Sequence, residues 1–344
     1  MRIPAFLSVV SANVLIGSAS PVALGAVQRD KHDLASILTQ AADVPAVEEN
    51  GLLSDVIGAI VDGVIVDGKS NLTDIVASLA LAIYISESLK LVILYRTAVP
   101  AGLTRYFSFG KLVDAVREAD AVWINIPGPS LADAQVNAEY VAYAINYISA
   151  VSDSNVAVLS WSQGGLNVQW SFKYWPSTRD VVDDFIAISP DFRDPQIYET
   201  DFIEVLRANG EGSVYVTTTT LYSSFNEIVQ PQSGDNASAI LNDAQGEGVT
   251  DNHAQTVCAG RPGSGVYLHE GMWALAVDAL RHDGPGDVSR TDIENVCADL
   301  IAPQLGVDDL LGSEGLLLVA VAELMAFNQK PSGEGPIASY ARNQ

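Results

Sequence analysis

One stretch, residues 156–166 with the sequence Val-Ala-Val-Leu-Ser-Trp-Ser-Gln-Gly-Gly-Leu, constrains the fold more than any other. Its apolar first half predicts a buried strand over 156–160. The two glycines then open a predicted helix over about 164–174, which Pro176 ends. A strand that turns tightly into a helix lifts the residue at the turn, here Ser162, out of the sheet.

Small residues flank this turn, as expected where a helix must pass close to the strand that precedes it. The pattern is that of a nucleophile elbow, G-x-S-x-G, with Ser160 in place of the first glycine. Serine is the next smallest polar choice, so the steric argument still applies. Ser162 is therefore a candidate nucleophile, and the alternative is an ordinary turn.

Apolar runs alternate with helical patterns along the rest of the chain from about residue 90. This alternation predicts an α/β fold with a mostly parallel central sheet and helices on both faces. Active sites of such sheets form at the carboxyl ends of the strands, where Ser162 is expected. The further strands are predicted at 91–94, 121–126, 185–188 and 213–217, and the further helices at 137–149, 271–280 and 315–327.

The first 88 residues differ from this pattern. An apolar run at 5–16 after a single positive charge predicts a signal peptide over 1–20, and a short core helix is the alternative. Amphipathic patterns at 52–66 and 72–82 indicate a helical pro-region over 21–88, or else peripheral helices of the main fold. The α/β domain is expected over 89–344.

The composition of the 344 residues, 48% hydrophobic and 17% charged, is that of a folded globular protein. A formal net charge of −24 argues against nucleic-acid binding and against attachment to anionic membranes. Strong acidity suits a secreted protein that self-repulsion keeps apart. Beyond the leader, no stretch is long and uncharged enough to predict a membrane span.

The two cysteines, Cys258 and Cys297, are either buried thiols or one disulfide, and a secreted chain favours the disulfide. Such a bond would contribute about 4 kcal/mol in the chain-entropy model. The four histidines show no metal-ligand spacing with one another or with the cysteines, so no metal is expected.

A serine nucleophile needs a base and an acid, which follow it in the order Ser, acid, His in an α/β sheet of this kind. His269 fits the base because it follows the short apolar stretch 265–268 and precedes a helix. His253 lies in a polar run, and His282 ends a helix, where it can complement the dipole. The loop after the predicted strand 213–217 offers Asn226, an amide, and Glu227.

Five motifs are shared with one known family. They are Leu-Ser-Trp-Ser-Gln-Gly-Gly-Leu at 159–166, Pro-Asp-Phe at 190–192, Leu-Tyr-Ser at 221–223, Glu-Ile-Val-Gln-Pro-Gln at 227–232 and Ala-Gln-Thr-Val-Cys at 254–258. With these motifs the chain resembles the lipase B family over about residues 90–342. The resemblance implies an extracellular α/β-hydrolase that cleaves carboxylic esters, triglycerides included, without a cofactor. A monomer that acts on small-molecule lipids or esters, also at a lipid–water interface, is expected.

The resemblance also implies roles for single residues. Ser162 matches the nucleophile and His269 the base. The backbone N–H groups of Gln163 and Thr97 match the oxyanion donors, and Asn226 stands at the acid position.

Further matches concern the pocket and the cysteines. Asp191 lines the acyl side of the pocket by this resemblance, or is a turn aspartate after Pro190. Ile228 and Val229 form the pocket wall, or belong to the core. The resemblance also pairs Cys258 with Cys297.

Two departures from the family pattern bear on the chemistry. Asn226 stands where the family has aspartate, a change that costs about 10⁴ in turnover in another serine hydrolase. The Tyr-Arg-Thr-Ala at 95–98 replaces Pro-Gly-Thr-Gly around the oxyanion donor Thr97. The sequence thus predicts a serine esterase or lipase of reduced activity. The alternatives are an inactive or very slow homologue that binds lipids or esters, and a cutinase-like polyesterase.

Overall fold

The computed structural model describes residues 90–96, 111–112, 116, 119–124, 126, 130–192, 200–208, 212–226, 229–260, 270–298, 301–302, 305–327 and 334–342. The chain divides between Leu89 and Lys90, and every described residue lies in the second unit. The predicted signal peptide and pro-region lie outside the described residues and remain expectations.

Six parallel strands form the sheet of the described region, in the order β2-β1-β3-β4-β5-β6. The predicted parallel α/β architecture is confirmed. The elbow strand β3 lies inside the sheet between β1 and β4, and all six of its residues are buried. The strands are β1 (Lys90–Arg96), β2 (Ala119–Trp123), β3 (Val156–Trp161), β4 (Val182–Ile188), β5 (Thr218–Tyr222) and β6 (Val249–His253).

Seven α-helices and three short 3-10 helices accompany the strands in the described residues. The α-helices are α1 (Ala134–Ser152), α2 (Gly164–Tyr174), α3 (Asp201–Arg207), α4 (Ala254–Val257), α5 (Glu270–Arg281), α6 (Ile293–Val296) and α7 (Val307–Ala326). The 3-10 helices span Pro176–Val181, Val288–Arg290 and Ser339–Ala341. None of the helices described is long and apolar enough to cross a bilayer.

Helices cover both faces of the sheet, as the alternation of side chains along β4 shows. Phe185 stacks edge-on against Phe172 of α2, with ring centroids 5.6 Å apart. Its neighbour Ile186 belongs to a buried cluster with Met272 and Leu275 of α5. Because successive side chains of a strand point to opposite faces, α2 and α5 lie on opposite sides.

The strand predicted at 213–217 is wrong. That segment holds a single bridge from Ser213 to Asn242, and the strand β5 follows it at Thr218–Tyr222. Three threonines, whose branched side chains favour extended backbone, begin β5, and all five of its residues are buried. The loop that carries Asn226 therefore begins at Ser223, later than predicted.

The sixth strand, β6, was not predicted, because its Val-Thr-Asp-Asn-His sequence looks polar. Its polar groups are nonetheless matched across the sheet. Asp251 accepts a hydrogen bond from Thr220 at 2.9 Å, and the amide of Asn252 donates to the carbonyl of Thr220 at 3.2 Å. Hydrogen bonding of this kind lets a polar strand occupy the border of a sheet.

The disulfide between Cys258 and Cys297 is present and joins the end of α4 to the end of α6. Both cysteines are buried. The bond closes a 39-residue separation, which spans α5 and the 3-10 helix Val288–Arg290. The pairing that the family resemblance implied is therefore confirmed.

Candidate active site

The candidate site is organised by Ser162, which lies in the turn between β3 and α2. Its backbone has a φ of 56°, in the left-handed region that non-glycine residues seldom occupy. The N–H of Ser162 donates to the carbonyl of Ile188 at 3.0 Å, and its own carbonyl accepts from the N–H of Gly165 at 3.0 Å. One bond ties the strained turn to β4, and the other ties it to the first turn of α2.

Gly165 is required because α2 passes close to the segment after β4. A Cβ on Gly165 would lie 3.0 Å from a ring carbon of Phe192 and 3.1 Å from the Cβ of Pro190. On the other side of the turn, Ser160 is fully buried within β3. The small residues flanking Ser162 are thus explained by close packing.

Gln163 follows the serine and is the N-cap residue of α2, with helical backbone angles of −50° and −23°. N–H groups in the first turn of a helix lack partners within the helix, and the dipole there attracts negative charge. Ser162 and Gln163 are both partly exposed. An anion that forms next to Ser162 would meet this helix end.

The ends of β4 and β5 meet the same edge of the sheet. Ser189, the residue after β4, is buried with a φ of 43°, and its N–H donates to the carbonyl of Leu221 at 2.7 Å. Five predicted site residues follow the carboxyl ends of β3, β4 and β5. They are Ser162, Gln163, Asp191, Asn226 and Val229.

Asn226 occupies a tight turn four residues after the end of β5. Its Oδ1 accepts the N–H of Val229 at 2.8 Å, and its own N–H donates to the carbonyl of Ser223 at 3.0 Å. Since a backbone N–H requires an acceptor, the first bond fixes which end of the side-chain amide is oxygen. The other end of the amide is therefore the Nδ2 donor.

Asp191 and Val229, which are predicted to line the pocket, have surroundings that agree with the other interpretation, in which they are a turn aspartate and a core residue. Oδ1 of Asp191 accepts a hydrogen bond from the hydroxyl of Ser238 at 2.8 Å. Val229 is 5% exposed and belongs to the core. Their roles in binding remain predictions.

Three predicted site residues lie outside the described residues. They are the oxyanion donor Thr97, the pocket residue Ile228 and the base His269. Their roles rest on the sequence.

Sequence reasoning missed a polar cluster beside Asn226. His253, which the sequence shows only as part of a polar run, is the last residue of β6, and its Nε2 lies 2.7 Å from Oγ of Ser224. Its Nδ1 lies 2.9 Å from Oγ1 of Thr256. Burial lowers the pKa of His253, which keeps its imidazole neutral at neutral pH. The sequence offered one sign of this strand, the β-branched valine and threonine at 249–250 that precede the histidine.

Gln255 completes this cluster from the first turn of α4. Its Oε1 accepts the N–H of Ser224 at 2.9 Å, and its Nε2 donates to Oγ of Ser223 at 2.8 Å. Tyr222 lies beside the cluster with its ring 5.3 Å from that of His253. Burial, and then the charge of Asp251, raise the pKa of Tyr222 to about 12, so it is a neutral neighbour.

Two lipases are among the known proteins to which this chain is similar. Lipase B of Pseudozyma antarctica is 31% identical over 249 residues, which cover 64% of this chain and 70% of the relative. The crystal structure of Aspergillus fumigatus lipase B is 42% identical and matches with a TM-score of 0.69, over 98% of this chain and 99% of that one. No family model matches the chain.

Proposed function

Because the chain belongs to the lipase B family of α/β-hydrolases, we propose that it is a secreted carboxylic ester hydrolase with Ser162 as nucleophile. The observation that carries the proposal is the left-handed backbone of Ser162 between β3 and the first turn of α2. That geometry supports a hydroxyl above the carboxyl edge of the sheet, next to the N-terminal end of α2. Both relatives bear the name lipase B, so triglycerides and related esters are the proposed substrates.

In the proposed reaction, Oγ of Ser162 attacks the ester carbonyl carbon while Nε2 of His269 takes the hydroxyl proton. The N–H groups of Gln163 and Thr97 hold the resulting oxyanion. The carbon–oxygen bond to the alcohol then breaks, and the alcohol leaves with the proton from His269. Water repeats the sequence on the acyl-Ser162 ester, which releases the carboxylic acid and restores the serine.

Asn226 slows this reaction through the tautomer of His269. The Val229 N–H holds Oδ1, so the amide offers its Nδ2 donor elsewhere. A donor facing Nδ1 of His269 requires that nitrogen to accept and places the ring proton on Nε2. The nitrogen that should take the proton of Ser162 is then already protonated, whereas an aspartate favours the opposite tautomer.

Secretion is proposed on three grounds. The chain begins with a signal-peptide pattern, its net charge is −24, and the Cys258–Cys297 disulfide suits an oxidising compartment. The pro-region over 21–88 is proposed as part of the precursor.

Asn226 also favours a second candidate function, a very slow or inactive homologue that binds esters or lipids. Such a protein would keep the pocket and lose turnover. It differs from the enzyme in one measurable property, hydrolysis that depends on Ser162.

The test is hydrolysis of p-nitrophenyl butyrate by the purified full chain and by Ser162→Ala. We expect slow release of p-nitrophenol by the parent and none above background by the variant. Equal rates would reject Ser162 as nucleophile. If the parent is silent yet binds a fluorescent fatty-acid ester, the binding function replaces the enzymatic one.

A further inference from the structure

The loop that carries Asn226 is held from one side by His253, the last residue of β6, and by Gln255 in the first turn of α4. Gln255 uses both ends of its amide, accepting the N–H of Ser224 and donating to the hydroxyl of Ser223. Because a backbone N–H fixes the acceptor end, this amide has one orientation. A two-point contact of this kind fixes the loop in direction as well as in distance.

His253 adds a third contact to the same loop. Its Nε2 lies 2.7 Å from the Ser224 hydroxyl, while its Nδ1 is 2.9 Å from the Thr256 hydroxyl. A neutral imidazole has one donor and one acceptor nitrogen, and a hydroxyl can serve either. The ring is thus anchored to α4 on one side and to the loop on the other.

These contacts reach Asn226 through two short backbone links. Ser223 accepts the N–H of Asn226 with its carbonyl at 3.0 Å and the N–H of Phe225 with its hydroxyl at 3.1 Å. Ser223 therefore connects Gln255 directly to the backbone of Asn226. Displacement of a catalytic group by about 1 Å can cost about 10²-fold in rate, so this connection bears on turnover.

The Ser224–His253 pair also has the polar geometry of a nucleophile and its base. A second acyl-transfer site would need N–H donors for an oxyanion. The N–H groups of Ser224, Phe225 and Asn226 donate instead to Gln255 and to Ser223. The pair is therefore better suited to holding the loop than to attacking an ester.

We infer that His253 and Gln255 are positioning residues that place Asn226, the residue at the acid position, by fixing Ser223 and Ser224. The inference rests on the proposed function for its effect on turnover. The placement of the loop itself does not depend on that function.

Two substitutions at one position separate the contacts of His253. The amide of glutamine reaches the place of Nε2, so His253→Gln keeps the contact with Ser224. The shorter His253→Asn reaches only the place of Nδ1 and keeps the contact with Thr256 alone. Gln255→Met removes both amide contacts at similar volume, and His282→Asn is the control at an exposed histidine.

The variants are compared in the full chain, with Asn226 and with Asn226→Asp, by p-nitrophenyl butyrate kinetics and hydrogen exchange over 222–230. We expect His253→Asn and Gln255→Met to lower kcat by about 10- to 100-fold with little change in KM. Their amide exchange in 223–226 should rise. His253→Gln should recover most of the kcat, and His282→Asn should match the parent.

Unchanged kcat and unchanged exchange in His253→Asn and Gln255→Met would overturn the inference. Labelling of Ser224 by a fluorophosphonate in place of Ser162, read by peptide mapping, would overturn it as well. If neither parent hydrolyses the ester above Ser162→Ala, the proposed function fails. Exchange in 223–226 then still decides whether the two residues hold the loop.

Discussion

The N–H of Val229 donates to Oδ1 of Asn226 over 2.8 Å, and the other end of this amide, at the predicted acid position, is the donor Nδ2. An aspartate at 226 would keep this bond with one oxygen and present the second oxygen as an acceptor. The backbone of the turn is thus already suited to a carboxylate.

Asn226→Asp should therefore raise the kcat for p-nitrophenyl butyrate by orders of magnitude, up to about 10⁴-fold. The expected cause is the tautomer of His269, since the turn needs no rearrangement. The double variant Ser162→Ala, Asn226→Asp is the control and should be silent. An unchanged kcat in the single variant would mean that another acid supports His269.

Gly165→Ala and Gly286→Ala should differ in their effect on the free energy of unfolding. At Gly165 the new methyl group meets the Phe192 ring at 3.0 Å, and a ring edge can shift, so we expect a loss of about 1–3 kcal/mol. At Gly286 the methyl group would lie 2.5 Å from the backbone oxygen of Leu275 within α5. Urea titration should show the larger loss for Gly286→Ala, and the reverse order would contradict this packing.

Reduction of the Cys258–Cys297 disulfide should lower the free energy of unfolding by about 4 kcal/mol in the chain-entropy model, given the 39-residue separation. Urea titration with and without a reductant measures this difference. The double variant Cys258→Ala, Cys297→Ala is the control, since its midpoint should not respond to the reductant. If complete reduction leaves the urea midpoint of the parent unchanged, the rest of the fold, and not the disulfide, holds the ends of α4 and α6 together.

Stability should depend on pH through His253. Burial lowers its folded-state pKa below the ordinary value of 6.5, so the unfolded chain binds more protons in this range. The stabilisation is complete above about pH 6.5 and is lost as the pH falls through the folded-state pKa. Between about pH 8 and pH 5, the Tm of the parent should therefore fall further than that of His253→Gln. If the plots of Tm against pH for the parent and for His253→Gln are parallel, His253 titrates as a solvated histidine.

The sequence predicts most of the sheet because its central strands are apolar on both faces. The elbow strand and α2 were placed within one residue, since an apolar run and a pair of glycines mark them. The strands β5 and β6 were misplaced or missed because they are rich in threonine and polar side chains that bond to one another across the sheet. A pattern of apolar and polar residues along one segment does not show which polar side chains will bond to one another across two strands.

The candidate site shows the same limit. The residue type at Ser162 and the missing carboxylate at Asn226 are visible in the sequence, because motif and chain order identify both positions. The contacts of Gln255 and His253 with Ser223 and Ser224 join segments about 30 residues apart. They depend on the pairing of β5 with β6, which periodicity does not predict.

The left-handed backbone of Ser162 also restricts what could ever replace it. A threonine or any other β-branched side chain fits this conformation poorly, whereas serine, cysteine and aspartate are unbranched at Cβ. New chemistry at this position, in evolution or in the laboratory, is thereby directed to side chains that are unbranched at Cβ, such as the thiol of cysteine or the carboxylate of aspartate. The backbone of this turn therefore restricts which residues can be accepted at position 162.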